Sequence, residues 1–240
     1  MGKSDDKTVF LLDVDNTLLD NDRFSADLDA CLTKLFGPAQ RDRYRALYDA
    51  LKDEVSYADY LGALQRFRVG LESDPNLLQM SSFLLDYPFA ERLYPRALDV
   101  VAHLSTLGVP VILSDGDIVF QPRKIQRSGL WPAVEGRVLI DVHKERALDA
   151  MRRAYPAQHY VMVDDKPRIL ATMKTAMGDE LTTVFVRQGH YAAEHEQAGH
   201  DPAADVEIAT IAEMLTLGQG DFLVGRASRR HAAFAQENTR

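Results

Sequence analysis

Residues 9–17 read Val9-Phe10-Leu11-Leu12-Asp13-Val14-Asp15-Asn16-Thr17, and this stretch decides the fold. Four apolar residues run into two carboxylates spaced i, i+2, with a hydroxyl two residues further on. The apolar run fits a buried parallel strand, which has no polar face to turn to water. A buried strand that ends in two acids places negative charge at its carboxyl edge. Unpaired buried charge is costly, so the acids need a partner. A hard cation such as Mg2+ meets that need, since it takes oxygen ligands and is usually held by one or two carboxylates plus a substrate phosphate. The competing reading is a strand followed by an Asx-rich turn, because Asp and Asn are common turn formers.

Working outward, residues 22 to about 93 have helical spacing and no good strand pattern. Leu28, Leu32, Leu35 and Phe36 form one stripe, Tyr44, Leu47, Tyr48 and Leu51 a second, and Tyr57, Tyr60, Leu61, Leu64 and Phe67 a third. Gly37-Pro38 and Asp74-Pro75 punctuate the segment. An all-helical insert of some three to five helices is expected. From Pro95 the pattern alternates. Helices are predicted at 97–107, 123–128, 144–154, 167–177 and 211–217. Strands are predicted at 109–113, 138–140, 160–163, 182–186 and 206–209. Such alternation indicates a parallel sheet with helices on both faces. Residues 218–240 hold Gly218, Gly220 and Gly225, then Arg226, Arg229, Arg230 and His231, a short docked helix or a mobile end.

The bulk numbers agree. The chain has 240 residues with 46% apolar and 27% charged content, ordinary for a soluble globular protein with a sizeable core. A net charge of −8 argues against nucleic acid or a membrane surface as the main partner. The single cysteine, Cys31, is expected on a helix face, and no intrachain disulfide is possible. The polar start Met1-Gly2-Lys3-Ser4-Asp5-Asp6-Lys7 does not resemble a signal peptide, and no apolar run approaches the ~20 residues of a membrane span. A cytoplasmic protein is the default expectation.

Three apolar runs end in polar or acidic residues, at Asp13/Asp15, Ser114/Asp115 and Asp164/Asp165. Ligands of an open parallel sheet bind outside the carboxyl ends of the strands, near the switch in strand order. If these runs are neighbouring strands, all three clusters converge on one edge. Lys144, which follows Asp141 and His143, supplies a cation that holds the acids ionised and meets an anionic substrate. Asp115 and Asp117 can join the site or act as turn formers around Gly116. Lys166-Pro167-Arg168 reads as a helix start with Pro167 in the first turn, and Arg168 can instead reach an anion.

Asp13-Val14-Asp15-Asn16-Thr17, Ser114, Lys144 and Asp164-Asp165 resemble, in order and spacing, the four motifs of the haloacid dehalogenase (HAD) superfamily. The resemblance covers roughly residues 8–217. It implies a Rossmann-like α/β core over 1–21 and 94–240 with a helical cap over 22–93. It implies that Asp13 is a nucleophile forming an aspartyl-phosphate and that Asp15 is general acid, then general base. Mg2+ would be held by the Asp13 carboxylate, the Asp15 backbone carbonyl and Asp165. Ser114 and Lys144 would hold phosphoryl oxygens, with Asp115 and Gly116 beside them, and Thr17 would brace the loop at the substrate. A second acid usually follows the fourth motif, but the corresponding positions here are Arg168, Ile169 and Leu170. Asp164 then stands in for it, with Asp165 the favoured direct ligand.

In the dehalogenase branch the residue two after the nucleophile is not an acid, because a halide leaves without a proton. Asp15 at that position points to a phosphatase. The expected substrate is a small soluble phosphate ester under the helical lid. Tyr44, Arg45, Tyr48, Tyr57, Tyr60 and Arg66 are candidates to line the site, although aromatic stripes at helical spacing usually face a core. The alternatives are a mutase acting on a sugar phosphate and a non-enzymatic binding module that retains the pocket.

Overall fold

In a computed structural model, which describes residues 7–141, 144, 147–192 and 203–223, the opening apolar run is strand β1 (Thr8–Leu12), buried at every position. It is central in a sheet of six parallel strands, with β2 (Val109–Asp115), β3 (Val138–Asp141), β4 (His159–Asp164), β5 (Leu181–Val186) and β6 (Val206–Ile208). The order is β3-β2-β1-β4-β5-β6. β2 lies on one side of β1 and β4 on the other, so the strand order reverses there.

Register aligns the strand ends. Leu12 pairs with Ile112 of β2 and Val163 of β4, and the Asp13 N–H extends the ladder to the Val163 carbonyl at 3.0 Å. Asp13, Ser114 and Asp164 therefore emerge side by side at one carboxyl edge, where such sheets bind ligands.

Alternate residues divide the sheet into two faces, as the strand period of two requires. Phe10, Leu12, Ile112, Val161, Val163 and Val184 join one apolar cluster with α5 (Ala97–Leu107) and α6 (Phe120–Ser128). Val9, Leu11, Val111, Leu113, Tyr160 and Met162 face α8 (Leu148–Ala154) and α9 (Pro167–Met177). The four-residue α7 (Leu130–Ala133) completes the set.

Between β1 and α5 lie four helices, α1 (Asn21–Phe36), α2 (Pro38–Val55), α3 (Tyr60–Phe67) and α4 (Asn76–Asp86). Asp20 caps α1 by accepting from Arg23 N, Pro38 stands in the first turn of α2, and Asp59 caps α3 by accepting from Gly62 N. The three expected stripes become the buried faces of α1, α2 and α3, and Cys31 is half-buried on α1. Phe24, Leu28, Tyr44, Tyr60 and Phe67 belong to the same cluster as β1 and α5. The insert is thus joined to the sheet by apolar packing as well as by chain.

Some expected elements differ. Tyr57 lies outside α3, because Ser56 ends α2 at φ 68° and α3 starts only after the Asp59 cap. The helix expected from Lys144 begins at Leu148, which leaves Lys144 on the approach to it. The helix expected at 211–217 is a short 3-10 turn, Ile211–Thr216. His143 and, in the tail, Gly225, Arg226, Arg229, Arg230 and His231 lie outside the described residues. No described helix is long and apolar enough to cross a membrane.

Candidate active site

Asp13, Asp164 and Asp165 are all buried at the shared strand edge, each offering a carboxylate oxygen within 4.8 Å of the others. Lys144, fully buried, joins two of them: its Nζ lies 2.5 Å from Asp13 Oδ1 and 2.7 Å from Asp164 Oδ2. Burial alone would lower the Lys144 ammonium, but Asp13, Asp164 and Asp115 outweigh it and hold it well above the usual lysine range. Asp164 Oδ1 accepts from Lys166 N at 2.9 Å, so both Asp164 oxygens are engaged. Of the oxygens of Asp13, Asp164 and Asp165, Asp13 Oδ2 and both oxygens of Asp165 are buried with no hydrogen-bond partner among the described residues. Burial, then the charges of Asp164 and Asp13, push Asp165 up to about 9. Clustered, buried carboxylate oxygens left without partners could hold a hard divalent cation.

Asp15 points elsewhere. Its two oxygens lie 2.7 and 2.9 Å from Lys124 Nζ, and Gln121 Nε2 donates to Oδ2 at 3.2 Å. Gln121 also donates to Ser114 Oγ at 2.8 Å, which ties the first two motifs together. Lys124 is buried at 1% exposure, bonds Asn21 Oδ1 at 3.0 Å, and stands 5.5–5.9 Å from the ring centroids of Phe24, Tyr60, Phe89 and Phe120. Rings from the insert, from the linker before α5 and from α6 therefore surround the cation that holds Asp15.

The loop after β1 is braced by Asn16, not by Thr17 as expected. Asn16 takes φ 59°, and its Oδ1 accepts from the Asn21 and Asp22 N–H groups at 3.0 and 3.2 Å. The Thr17 hydroxyl is fully buried with no partner among the described residues, while the Thr17 N–H donates to the Val14 carbonyl and its own carbonyl accepts from Gln188. Asn16 Nδ2 donates to Asp22 Oδ1, which also lies 2.6 Å from His190 Nδ1, and Asp22 Oδ2 accepts from the His190 N–H at 2.8 Å. Asn16 fits because Gly189 has no side chain: a Cβ there would come within 2.6 Å of Asn16 Cβ.

A cleft of about 540 Å³ opens over this edge, between the helical insert and the sheet. Asp15, Asp115, Lys166 and Arg168 line one wall, and Arg45, Tyr48, Lys52, Tyr57 and Tyr60 the other. Two expected lining residues are not there. Tyr44 is buried in the insert with its hydroxyl on the Tyr60 carbonyl, and Arg66 pairs with Glu54 on the surface. Arg45 lines the cleft but is already held by Asp29 at 2.6 Å. Asp117 is a turn former, accepting from Val119 and Phe120 N–H groups. Asp115 accepts from Lys144 N at 3.2 Å, and burial raises its carboxyl. The Gly116 N–H is occupied by the Asp141 carbonyl, so it is not a substrate donor, and its missing side chain lets Gln121 approach.

Gln121, Lys124, Lys166, Asn16, Asp22 and His190 were not singled out as site residues from sequence. One signal for two of them exists. The buried face of α6 is Phe120, Gln121, Lys124, Ile125 and Ser128, so an amide and an ammonium sit on an otherwise apolar stripe. Buried lysine is rare without a partner.

No protein-family model matches the chain, and a search of curated proteins gives no match. Among solved structures, one from Burkholderia xenovorans LB400, assigned to the haloacid dehalogenase-like hydrolases, is 56% identical with a TM-score of 0.84, over 90% of this chain and 98% of that one. The magnesium-bound HAD-hydrolase YfnB of Bacillus subtilis is 14% identical with a TM-score of 0.57, over 89% of this chain and 100% of that one. L-2-haloacid dehalogenase from Xanthobacter autotrophicus is 18% identical with a TM-score of 0.54, over 88% of this chain and 98% of that one. The last two share the fold.

Proposed function

Because this chain belongs to the haloacid dehalogenase-like hydrolases, we propose that it is a Mg2+-dependent phosphomonoesterase acting on a small phosphorylated metabolite through an aspartyl-phosphate. The observation that carries this reading is the division of labour among four buried or half-buried aspartates. Asp13 keeps one oxygen free while Lys144 holds the other. Asp164 is used up in positioning Lys144 and the Lys166 backbone. Asp165 keeps both oxygens free. Asp15 is an acid two residues after the nucleophile, held by a cation.

The donor set fits a divalent ion. Five carboxylates, Asp13, Asp15, Asp115, Asp164 and Asp165, outnumber the nearby ammonium groups of Lys124, Lys144 and Lys166, an excess of negative charge that a divalent ion would offset. Asp165 and Asp13 Oδ2 are the oxygens that would hold it, with the Asp15 carbonyl as a further ligand. When bound, the ion polarises phosphoryl oxygens and offsets the charge that develops on them.

The Asp13 carboxylate attacks phosphorus, and Lys144 beside it limits repulsion between carboxylate and phosphoryl group. The bond from phosphorus to the leaving alcohol breaks, and the alcohol oxygen takes a proton from Asp15. Asp15 then draws a proton from water as that water attacks phosphorus, which frees Asp13 and phosphate. Lys124 keeps the Asp15 carboxyl fixed through both steps. A halide would need no such acid, and this favours phosphate over haloacid. The test is turnover of a panel of phosphate esters with and without Mg2+, in wild type and Asp13→Asn. Loss of activity on metal removal and in Asp13→Asn supports the reading. No Mg2+-dependent turnover on any ester would sink it, and sugar-phosphate isomerisation without phosphate release would make the chain a mutase.

A further inference from the structure

We propose that Lys166 is an additional phosphoryl-binding residue, a second cation that meets the substrate's phosphate beside Lys144. The inference rests on the phosphoryl-transfer reading and adds a phosphate contact to it.

The two lysines flank the same acids but differ in what they touch. Lys144 Nζ bonds two carboxylates at 2.5 and 2.7 Å and is fully buried. Those bonds fix it on the acids. Lys166 is half-buried and lines the cleft. Among the described residues its ammonium has no hydrogen bond and no ion pair. It stands on the wall of the cleft that Asp15 and Asp115 also line. An ammonium carries three donors, and leaving all of them unmet in a half-closed site is unfavourable unless a ligand meets them.

The position of Lys166 is built. Its backbone N–H is pinned to Asp164 Oδ1 at 2.9 Å, directly ahead of α9. Its Nζ lies 5.1 Å from the ring centroid of Tyr191, which steadies a cation. Tyr191 packs on His190 at 3.9 Å between ring centroids, and His190 is held by Asp22, itself held by Asn16. A chain of contacts thus runs from the loop of the first motif, beside Asp15, around the cleft to Lys166. Lys166 thus faces the same cleft as Asp15 and Asp115.

The test is binding of inorganic phosphate by the Mg2+-loaded protein, measured calorimetrically for wild type, Lys166→Met, Lys166→Arg and Tyr191→Leu, with Mg2+ binding measured separately. A charge-assisted hydrogen bond to phosphate sets the expected scale: Lys166→Met weakens phosphate binding by about tenfold or more. Lys166→Arg retains most of the affinity, Tyr191→Leu loses part, and Mg2+ affinity in Lys166→Met is not reduced. If Lys166→Met fails to fold, Lys166→Gln is read in the same way. Wild-type-like phosphate binding in the uncharged variant overturns the proposal. So does loss of Mg2+ binding along with phosphate, which would mean that the lysine acts through the metal site. A wild-type protein that binds no phosphate also overturns it. A wild type that binds phosphate through Lys166 but hydrolyses no ester would sink the phosphatase reading and leave this site standing.

Discussion

Lys124 Nζ lies 2.7 and 2.9 Å from the two carboxylate oxygens of Asp15, across 109 residues of sequence. The pair connects the residue assigned to proton transfer with an aromatic cage drawn partly from the helical insert. Removing the cation leaves a carboxylate among apolar groups and opens a gap between Phe24, Tyr60, Phe89 and Phe120. Breaking a buried pair from one side costs about 3–5 kcal/mol. Asp15 retains 24% side-chain exposure, which places Lys124→Met near the lower end, at about 3 kcal/mol. Denaturant melts of Lys124→Met and wild type measure this, and a loss below ~1 kcal/mol would show the pair to behave like an exposed one.

Metal binding and pH are linked through Asp165. Its carboxyl is pushed up to about 9 by burial and by Asp164 and Asp13, against an ordinary value of about 4. A carboxyl raised in the folded state favours folding while protonated. That contribution is complete below pH ~4 and is lost as pH rises toward ~9. Without a divalent ion, Tm falls across that window. Mg2+ binds the deprotonated carboxylates, so the Tm gain it gives grows with pH. Thermal melts in EDTA and in Mg2+ at several pH values measure it, and a gain independent of pH would contradict the assignment of Asp165.

Gly189→Ala is expected to be costly although it adds one methyl group. Gly189 has φ 69°, and the new Cβ would lie 2.6 Å from Asn16 Cβ. Backbone strain and displacement of Asn16 together cost about 1–3 kcal/mol. Activity should fall too, because Asn16 adjoins Asp15 and orients Asp22. Stability and turnover of the variant measure both effects.

Arg66→Ala should do little. Arg66 pairs with Glu54 at side-chain exposures of 40% and 60%, away from the cleft. Such a pair contributes about 0–1 kcal/mol, and ester hydrolysis should match wild type. Impaired turnover in this variant would mean that the insert approaches the substrate differently.

The sheet and the acidic edge were legible because their signals are local. Apolar runs ended in Asp13, Ser114 and Asp164, and parallel pairing brings strand ends together whatever the loops do. Lys144 was legible from its place between motifs. The proton-transfer pair was only half visible. Asp15 announces itself in the first motif, but Lys124 lies 109 residues away, and its isolated charge on the α6 stripe was the sole local hint. The Asn16–Asp22–His190 bracing has the same cause: Asp22 and His190 are 168 residues apart. Thr17 was misjudged because a hydroxyl after two acids resembles a loop brace, whereas the chain turns through Asn16 and buries the hydroxyl. Tyr44 shares helix α2 with Tyr48, but four residues of helix separate a core ring from a cleft ring.

The central claim is that Asp13 attacks phosphorus and that water then attacks phosphorus, not the Asp13 carboxyl carbon. The most direct measurement is a Mg2+-dependent single-turnover hydrolysis of para-nitrophenyl phosphate in 18O-labelled water, followed by mass spectrometry of the released phosphate and of the Asp13 peptide. The label is predicted in phosphate, with none in Asp13 and no phosphate released by Asp13→Asn. Label entering Asp13, or phosphate release that persists in Asp13→Asn, would contradict it.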